Sequence, residues 1–293
     1  FELPGVDRRA NAFILKRSPA GVPLRGSTDV FRQAPLLRAL RRAGFPAPNV
    51  SWASDDVAIL GAPFIIMERL PGRTVIVWDP TPESLSQFKD QSALWLETAR
   101  LMGALHAFDW RAELTVWEEP TNLARELNRW TRLLRHTENH EHLVLAQRIA
   151  ARLAATWPLQ SQIGLIHGDL QPGNVLFEHG AARGLIDWDL AAIGPTSLDV
   201  GWLLMVADPA SWACDWRPVS PPSRAAILDA YRDAGGTVPD DMDWHEAFAQ
   251  FRMAAITGLN VKLHRDGRRH DPIWERFAAS TPHLLRRADF LLG

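Results

Sequence analysis

Asp169, Asn174 and Asp187 are the residues of this chain best placed to do chemistry together. Asp169 lies in His167-Gly168-Asp169-Leu170-Gln171-Pro172-Gly173-Asn174-Val175-Leu176-Phe177, and Asp187 lies in Ile186-Asp187-Trp188-Asp189. Asn174 follows Asp169 by five residues, Asp187 follows Asn174 by thirteen, and short aliphatic runs flank both stretches. An aspartate in such a loop can accept the proton of a substrate hydroxyl. An amide and a carboxylate oxygen can hold a hard cation such as Mg²⁺ against phosphate groups. The order H-x-D-x-x-x-x-N, a strand, then a second aspartate is the spacing that serves phosphoryl transfer to a hydroxyl.

Four further residues belong to this expectation. His167 sits in the catalytic loop and reads as shaping it through hydrogen bonds rather than as a base. Lys16 closes an apolar strand, from which a lysine can reach the α- and β-phosphates of a nucleotide. It is one of three lysines, with Lys89 and Lys262, among 32 basic residues. Asp189 would assist the metal or meet a cationic substrate, and a solvated loop acid is an equal reading. Asp199, close to a helix start, reads as holding the catalytic loop, with an N-terminal helix acid as the plainer alternative.

Strands and helices must bring these residues together. Phe1-Glu2-Leu3 and residues 12–16 read as a hairpin, and residues 28–43 carry apolar side chains at helical spacing that Gly44 can end. Residues 57–60 and 64–67 read as two strands separated by Gly61. Beyond Gly72 the pattern turns helical over residues 91–108, 123–136 and 142–157. Brief strands over 164–166, 175–177 and 184–186 bracket the polar loop. A helix starts near Ser197, which is available as its N-cap. Three more follow over 224–233, 244–264 and 272–292.

Leu165 to Leu203, with His-Gly-Asp-Leu-x-Pro-Gly-Asn-Val-Leu, Gly-Leu-Ile-Asp-Trp-Asp and Leu198-Asp199-Val200-Gly201-Trp202, resembles the aminoglycoside phosphotransferase-like small-molecule kinases. Leu15-Lys16-Arg17-Ser18-Pro19 and the stretch from Gly61 to Glu68 resemble a branch that also occurs beside acyl-CoA dehydrogenase domains. The resemblance implies an α+β, two-lobed, protein-kinase-like fold. Residues 1–70 would form a small β-rich N-lobe and residues 71–293 a larger, mostly helical C-lobe. It implies a hinge at Met67, Glu68, Arg69 and Leu70, where the nucleotide base bonds to backbone. ATP or GTP with Mg²⁺ is the implied cofactor, and a small-molecule hydroxyl the implied acceptor. The family's helix glutamate, the usual partner of the strand lysine, aligns with Gln33, and an amide can hydrogen-bond a lysine without offsetting its charge.

A second departure concerns the phosphate-covering loop. It belongs between the first two strands, the sequence begins in the second, and Gly5 lies in the turn after it. A nucleotide-binding pseudokinase or a truncated fragment is therefore one rival reading. A metal-dependent hydrolase using His167, Asp169 and Asp187 is another. The net charge of −2 gives no reason to expect a nucleic-acid partner, and the single cysteine, Cys214, excludes an intramolecular disulfide framework. No apolar run approaches a membrane span, so the expected setting is cytoplasmic. The 13 tryptophans read mostly as core. Asp240, Asp241 and Asp243 could meet a polycation but fit an acidic helix start equally well, and residues 264–270 read as a solvated turn.

Overall fold

The computed structural model describes residues 12–19, 21–115, 117–158, 161–213 and 215–293. Strand β1 (Phe13–Arg17), helix α1 (Gln33–Arg42), strand β2 (Val50–Ser54), the one-turn helix α2 (Val57–Leu60) and strand β3 (Phe64–Glu68) come first. The strands make an antiparallel sheet ordered β1-β3-β2, with Lys16 opposite Ile65. Helix α1 buries Leu36, Leu37 and Leu40 and turns Arg38, Arg41 and Arg42 outward, the stripe pattern of a helix packed by one face.

Residues 57–60, expected as a strand, are helical instead, and the sheet's second strand is β2. A four-residue apolar run cannot distinguish the two by periodicity. Here the ends decide: the Asp56 carboxylate accepts Ala58 N–H, and Gly61 closes the turn at φ 75°. The expected strand at Phe1-Glu2-Leu3, Gly5 and Cys214 all lie outside the described residues.

The rest of the chain is mainly helical. In order it contains α3 (Pro82–Leu85), α4 (Ala93–His106), α5 (Trp110–Glu113), α6 (Leu123–Thr131), α7 (His140–Ala155), β4 (Ile163–Ile166), β5 (Val175–Glu178), β6 (Ala181–Leu185) and β7 (Ala192–Pro195). Helices α8 (Ser197–Ala207), α9 (Arg224–Asp233), α10 (Met242–Arg265) and α11 (Ile273–Leu291) complete it. Every residue of α8 is buried, as expected of a helix apolar on all sides, and it packs on α10. Its N-cap is Thr196 rather than Ser197, which already lies inside the first turn. No helix among the described residues is long and apolar enough to cross a membrane.

Two short antiparallel pairs carry the polar residues. β4 pairs with β7, setting Ile166 opposite Ala192, so that the segments after β4 and before β7 run side by side. β5 pairs with β6, setting Val175 opposite Leu185, which brings Asn174 beside the segment that carries Asp187. The chain crosses from β3 to this hairpin through Gly72. At φ 101° a Cβ there would lie 2.7 Å from the Phe177 carbonyl oxygen, so the close crossing requires glycine. Arg73 then bonds Phe177 in both directions, at 2.9 Å each way.

Candidate active site

Asp199 organises the catalytic loop from the first turn of α8. Its two carboxylate oxygens accept the backbone N–H groups of His167 at 2.7 Å and Gly168 at 2.8 Å. Gly168 is at φ 84°, and a Cβ would lie 2.5 Å from the Leu190 carbonyl oxygen, so a side chain cannot be accommodated. Burial opposes the Asp199 carboxylate, yet the hydrogen bonds from His106 and from the His167 backbone N–H hold it below the usual carboxylate range. His106 is fixed in turn by the Tyr231 hydroxyl at 2.8 Å from its Nδ1.

His167 is fully buried, and burial pushes its imidazole below its ordinary value, so it is neutral. Its Nε2 donates to the Ile186 carbonyl at 2.9 Å, and its Nδ1 accepts Asp169 N–H at 3.3 Å. Both ring nitrogens are thus engaged by backbone. His167 joins the catalytic loop to the Asp187 segment and is not available as a base. A hydrolase centre that relies on this imidazole loses its key group.

Three hydrogen bonds hold Asp169. Trp202 Nε1 donates to Oδ1 at 2.8 Å, and Asn174 Nδ2 donates to Oδ2 at 2.9 Å and to the Asp169 carbonyl at 2.7 Å. Enclosure by protein raises the Asp169 carboxyl to about 6, against the opposing pull of Arg252 and these two donors. A carboxylate with that value is deprotonated near neutrality and still basic enough to take a hydroxyl proton as the reaction advances.

With Nδ2 committed to Asp169, the Asn174 amide leaves its oxygen for a cation. Ile186 N–H donates to the Asn174 carbonyl at 2.9 Å, which ties this asparagine to Asp187. Asp187 adopts the left-handed region at φ 63° and ψ 61°, a conformation that aspartate tolerates better than most residues and that recurs at functional sites. One amide oxygen and one carboxylate fit Mg²⁺, which takes few protein ligands and is completed by phosphate and water. Among the described residues, no group of three or more His, Cys, Asp or Glu could hold a metal unaided.

Lys16 reaches across from the sheet. Its Nζ lies 2.5 Å from Asp189 Oδ1 and 3.6 Å from Asp187 Oδ1. Gln33 directs its Nε2 to that same Asp189 oxygen at 2.7 Å. Asp189 is therefore a paired acid that stays partly open to solvent, and the carboxylate, not the ammonium, is what the Gln33 amide meets. Met67, Glu68, Arg69 and Leu70 run from β3 toward the C-terminal region. Glu68 N–H donates to Asn49 O at 2.8 Å and Arg69 N–H to Ala12 O at 3.0 Å. Leu70 N–H has no backbone partner among the described residues.

On its far side Asp169 opens into a cavity of roughly 220 Å³ lined by Trp78, Trp202, Trp212, Trp274, Phe277 and Met253, with Gln171 and Arg252 as its other polar residues. Trp78, Trp212 and Phe277 form a nest of near-perpendicular rings, 4.9 to 6.0 Å apart between centroids. Arg252 is buried between Trp130 and Trp202, 4.7 and 4.3 Å from their ring centres, and also donates to the Gly168 carbonyl. Two buried donors in this lining, Trp78 Nε1 and Arg252 Nε, have no acceptor among the described residues.

Arg252 and Trp202 did not stand out as functional residues in the sequence. One signal existed, a lone arginine inside the apolar stretch Phe251-Arg252-Met253-Ala254-Ala255. Trp188 packs edge-on against His167 at 4.9 Å and is 2% exposed, a core residue. Asp243 pairs with Arg224 at 2.6 Å, and Asp240 and Asp241 border a different depression from the one at Asp169. At the end of α10, Arg265 bonds Glu138 and Glu275.

A lysine-bearing sheet and a helical body with an aspartate–asparagine–aspartate centre make a two-lobed, protein-kinase-like fold. Residues 5–279 match the model of the phosphotransferase enzyme family (APH), and the chain belongs to that family. Mouse acyl-CoA dehydrogenase family member 10 is 26% identical over 256 residues, covering 83% of this chain and 24% of the relative. The chain thus spans about a quarter of that relative's length. A solved putative aminoglycoside phosphotransferase from Ralstonia eutropha superposes with a TM-score of 0.76 at 20% identity, over 95% of this chain and 85% of that one. The GDP complex of aminoglycoside 2'-phosphotransferase-IIIa superposes with a TM-score of 0.56 at 18% identity, over 89% and 82% of the two chains.

Proposed function

We propose that the protein transfers the γ-phosphoryl group of ATP to the hydroxyl of a small molecule, with Asp169 as the base. The observation that carries this reading is the bonding of Asn174 to Asp169 on one side and to the Asp187 segment on the other. That bonding places a proton acceptor beside a pair of cation ligands. Residues 1–70 and 71–293 would form the two lobes, with the nucleotide between them. The base would bond the backbone of Met67, Glu68, Arg69 and Leu70. Lys16 would meet the α- and β-phosphates. The nucleotide-bound relative supports this placement by its fold.

Asn174 and Asp187 would hold Mg²⁺, which supplies charge neutralisation on the β- and γ-phosphates. Asp169 orients the acceptor hydroxyl in line with the γ-phosphorus. The new O–P bond forms as the bond to the β-phosphate oxygen breaks, ADP leaves, and the hydroxyl proton passes to Asp169. Lys16 stabilises charge on the phosphate oxygens. A reaction that consumes ATP is at home in the cytoplasm.

The cavity favours an acceptor with an apolar body. Its aromatic walls and its buried Arg252 do not suit a polycation. Gln171 and Arg252, the polar residues that line the cavity beside Asp169, suit a carbonyl or carboxylate oxygen on the acceptor. Titration of ATP into the protein by calorimetry, with and without Mg²⁺ and with Asp187→Ala as control, tests the nucleotide half. Binding that requires Mg²⁺ and is lost in the variant supports it. Binding indifferent to both supports a pseudokinase instead.

A further inference from the structure

We infer that Asp189 supplies the counter-charge that positions Lys16, with Gln33 serving as the amide that holds this carboxylate in place. The inference rests on the phosphotransferase reading for what Lys16 binds, but not for what binds Lys16.

Two donors converge on one oxygen. Asp189 Oδ1 accepts Lys16 Nζ at 2.5 Å and Gln33 Nε2 at 2.7 Å. Gln33 is 1% exposed, so its amide has no solvent to turn to. Its neighbour Arg32 anchors the start of α1 on the same strip of chain, donating to the Ala191 carbonyl at 2.5 Å and to Glu118 at 2.6 Å while Trp117 Nε1 caps the Arg32 carbonyl at 2.7 Å. Helix α1 is thus fixed against the segment that carries Asp189, and the amide points where that segment presents its acid.

The chemistry explains why the two positions belong together. An amide can donate a hydrogen bond to a carboxylate, and a glutamate cannot. A glutamate at position 33 would set a second negative group in hydrogen-bond range of Asp189, and two carboxylates so close resist being charged together. Glutamine at 33 is therefore compatible with aspartate at 189, and glutamate at 33 calls for an amide at 189. The helical turn Trp188–Leu190 separates the duties of the two acids. Asp189 takes the lysine, and Asp187, 3.6 Å from Nζ, keeps its carboxylate for the cation. Asp189 is a positioning residue, acting on phosphate through Lys16.

A charge swap tests this in the full chain with Asp189→Asn, Gln33→Glu and the double variant Gln33→Glu/Asp189→Asn. Two readouts are used. The first is the affinity for MgATP, with thermal unfolding to confirm that each variant folds. Asp189→Asn should weaken binding about tenfold or more, the size of one charged hydrogen bond. Gln33→Glu alone should also weaken it, and the double variant should recover to within about threefold of the wild type.

The second readout needs no nucleotide. With only three lysines in the chain, a spectrum of [ε-13C]lysine-labelled protein gives a separate view of Lys16. Its signal should move in Asp189→Asn and return in the double variant. A Lys16 signal unmoved by Asp189→Asn, or a double variant no better than Asp189→Asn in both readouts, overturns the inference. If the lysine signals behave as stated but the wild type binds no MgATP, the pairing stands and the phosphotransferase reading fails. Loss of Mg²⁺ dependence in Asp189→Asn without rescue by Gln33→Glu would make Asp189 a metal ligand, and would also overturn it.

Discussion

The two sides of Asp169 handle charge in opposite ways. Toward β1, Lys16, Asp187 and Asp189 stand in reach of solvent, with side-chain exposures of 25%, 50% and 37%. Their balance can be reset by a nucleotide and a cation arriving from water. Toward α10, Asp169 faces Arg252, which is buried between two indole rings, and an aromatic cavity closes the rest. There the charge is balanced permanently by protein, because a buried ion without a partner is costly. The contrast teaches a division of labour. On the proposed function, the open side would exchange polyanions, and the closed side would keep water from the hydroxyl and tune the base that takes its proton.

Substitutions on the closed side should have the largest effects. Asp169→Asn removes the base and should lower kcat about 10²- to 10⁴-fold with little change in KM for ATP, measured by steady-state kinetics. Arg252→Leu strips the buried cation from beside Asp169 and frees the Gly168 carbonyl. It should cost about 3 kcal/mol or more in denaturant unfolding. It should also move the acid limb of the pH profile upward, since Arg252 opposes the rise of the Asp169 carboxyl.

The wild-type profile sharpens the same point. Asp169 is effective only when deprotonated, so kcat/KM should fall as pH drops through about 6, approaching tenfold per unit below it. An acid limb near the free-carboxylate value of about 4 would show that enclosure does not tune this group. Trp202→Phe keeps the ring and loses one donor to Asp169. It should raise the limb by less than about one unit, with a modest loss in kcat. The smallest effect belongs to the surface. Asp240→Asn and Asp243→Asn should shift stability by less than about 0.5 kcal/mol and leave acceptor KM unchanged, because neither borders the Asp169 cavity.

The sequence disclosed these two sides unequally. Asp169, Asn174 and Asp187 could be read because they lie on one local frame, a loop and a hairpin with fixed spacing. The helix over residues 224–233 was found with the expected bounds, since its apolar period and its Ser223 start are local as well. Other features depend on distance along the chain. Lys16 and Asp189 are 173 positions apart and Gln33 and Asp189 are 156 apart, so no window could show that Asp189 is the shared acceptor. The cavity gathers Trp78, Trp202, Trp212 and Trp274 from four segments, and tryptophans read one at a time look like ordinary core. Residues 57–60 were misread because the Asp56 and Gly61 caps outweigh β-branched composition in so short a run.

The most direct test is transfer of label from γ-32P-ATP with Mg²⁺ to a panel of small alcohols, some bearing an apolar body with a carbonyl or carboxylate and some polycationic. Wild type and Asp169→Asn are run side by side. The account predicts labelled product from an apolar, oxygen-bearing alcohol, none from the polycations, and at least a hundredfold less from the variant. Equal transfer by the two proteins, or phosphate release from a monoester without ATP, would contradict it.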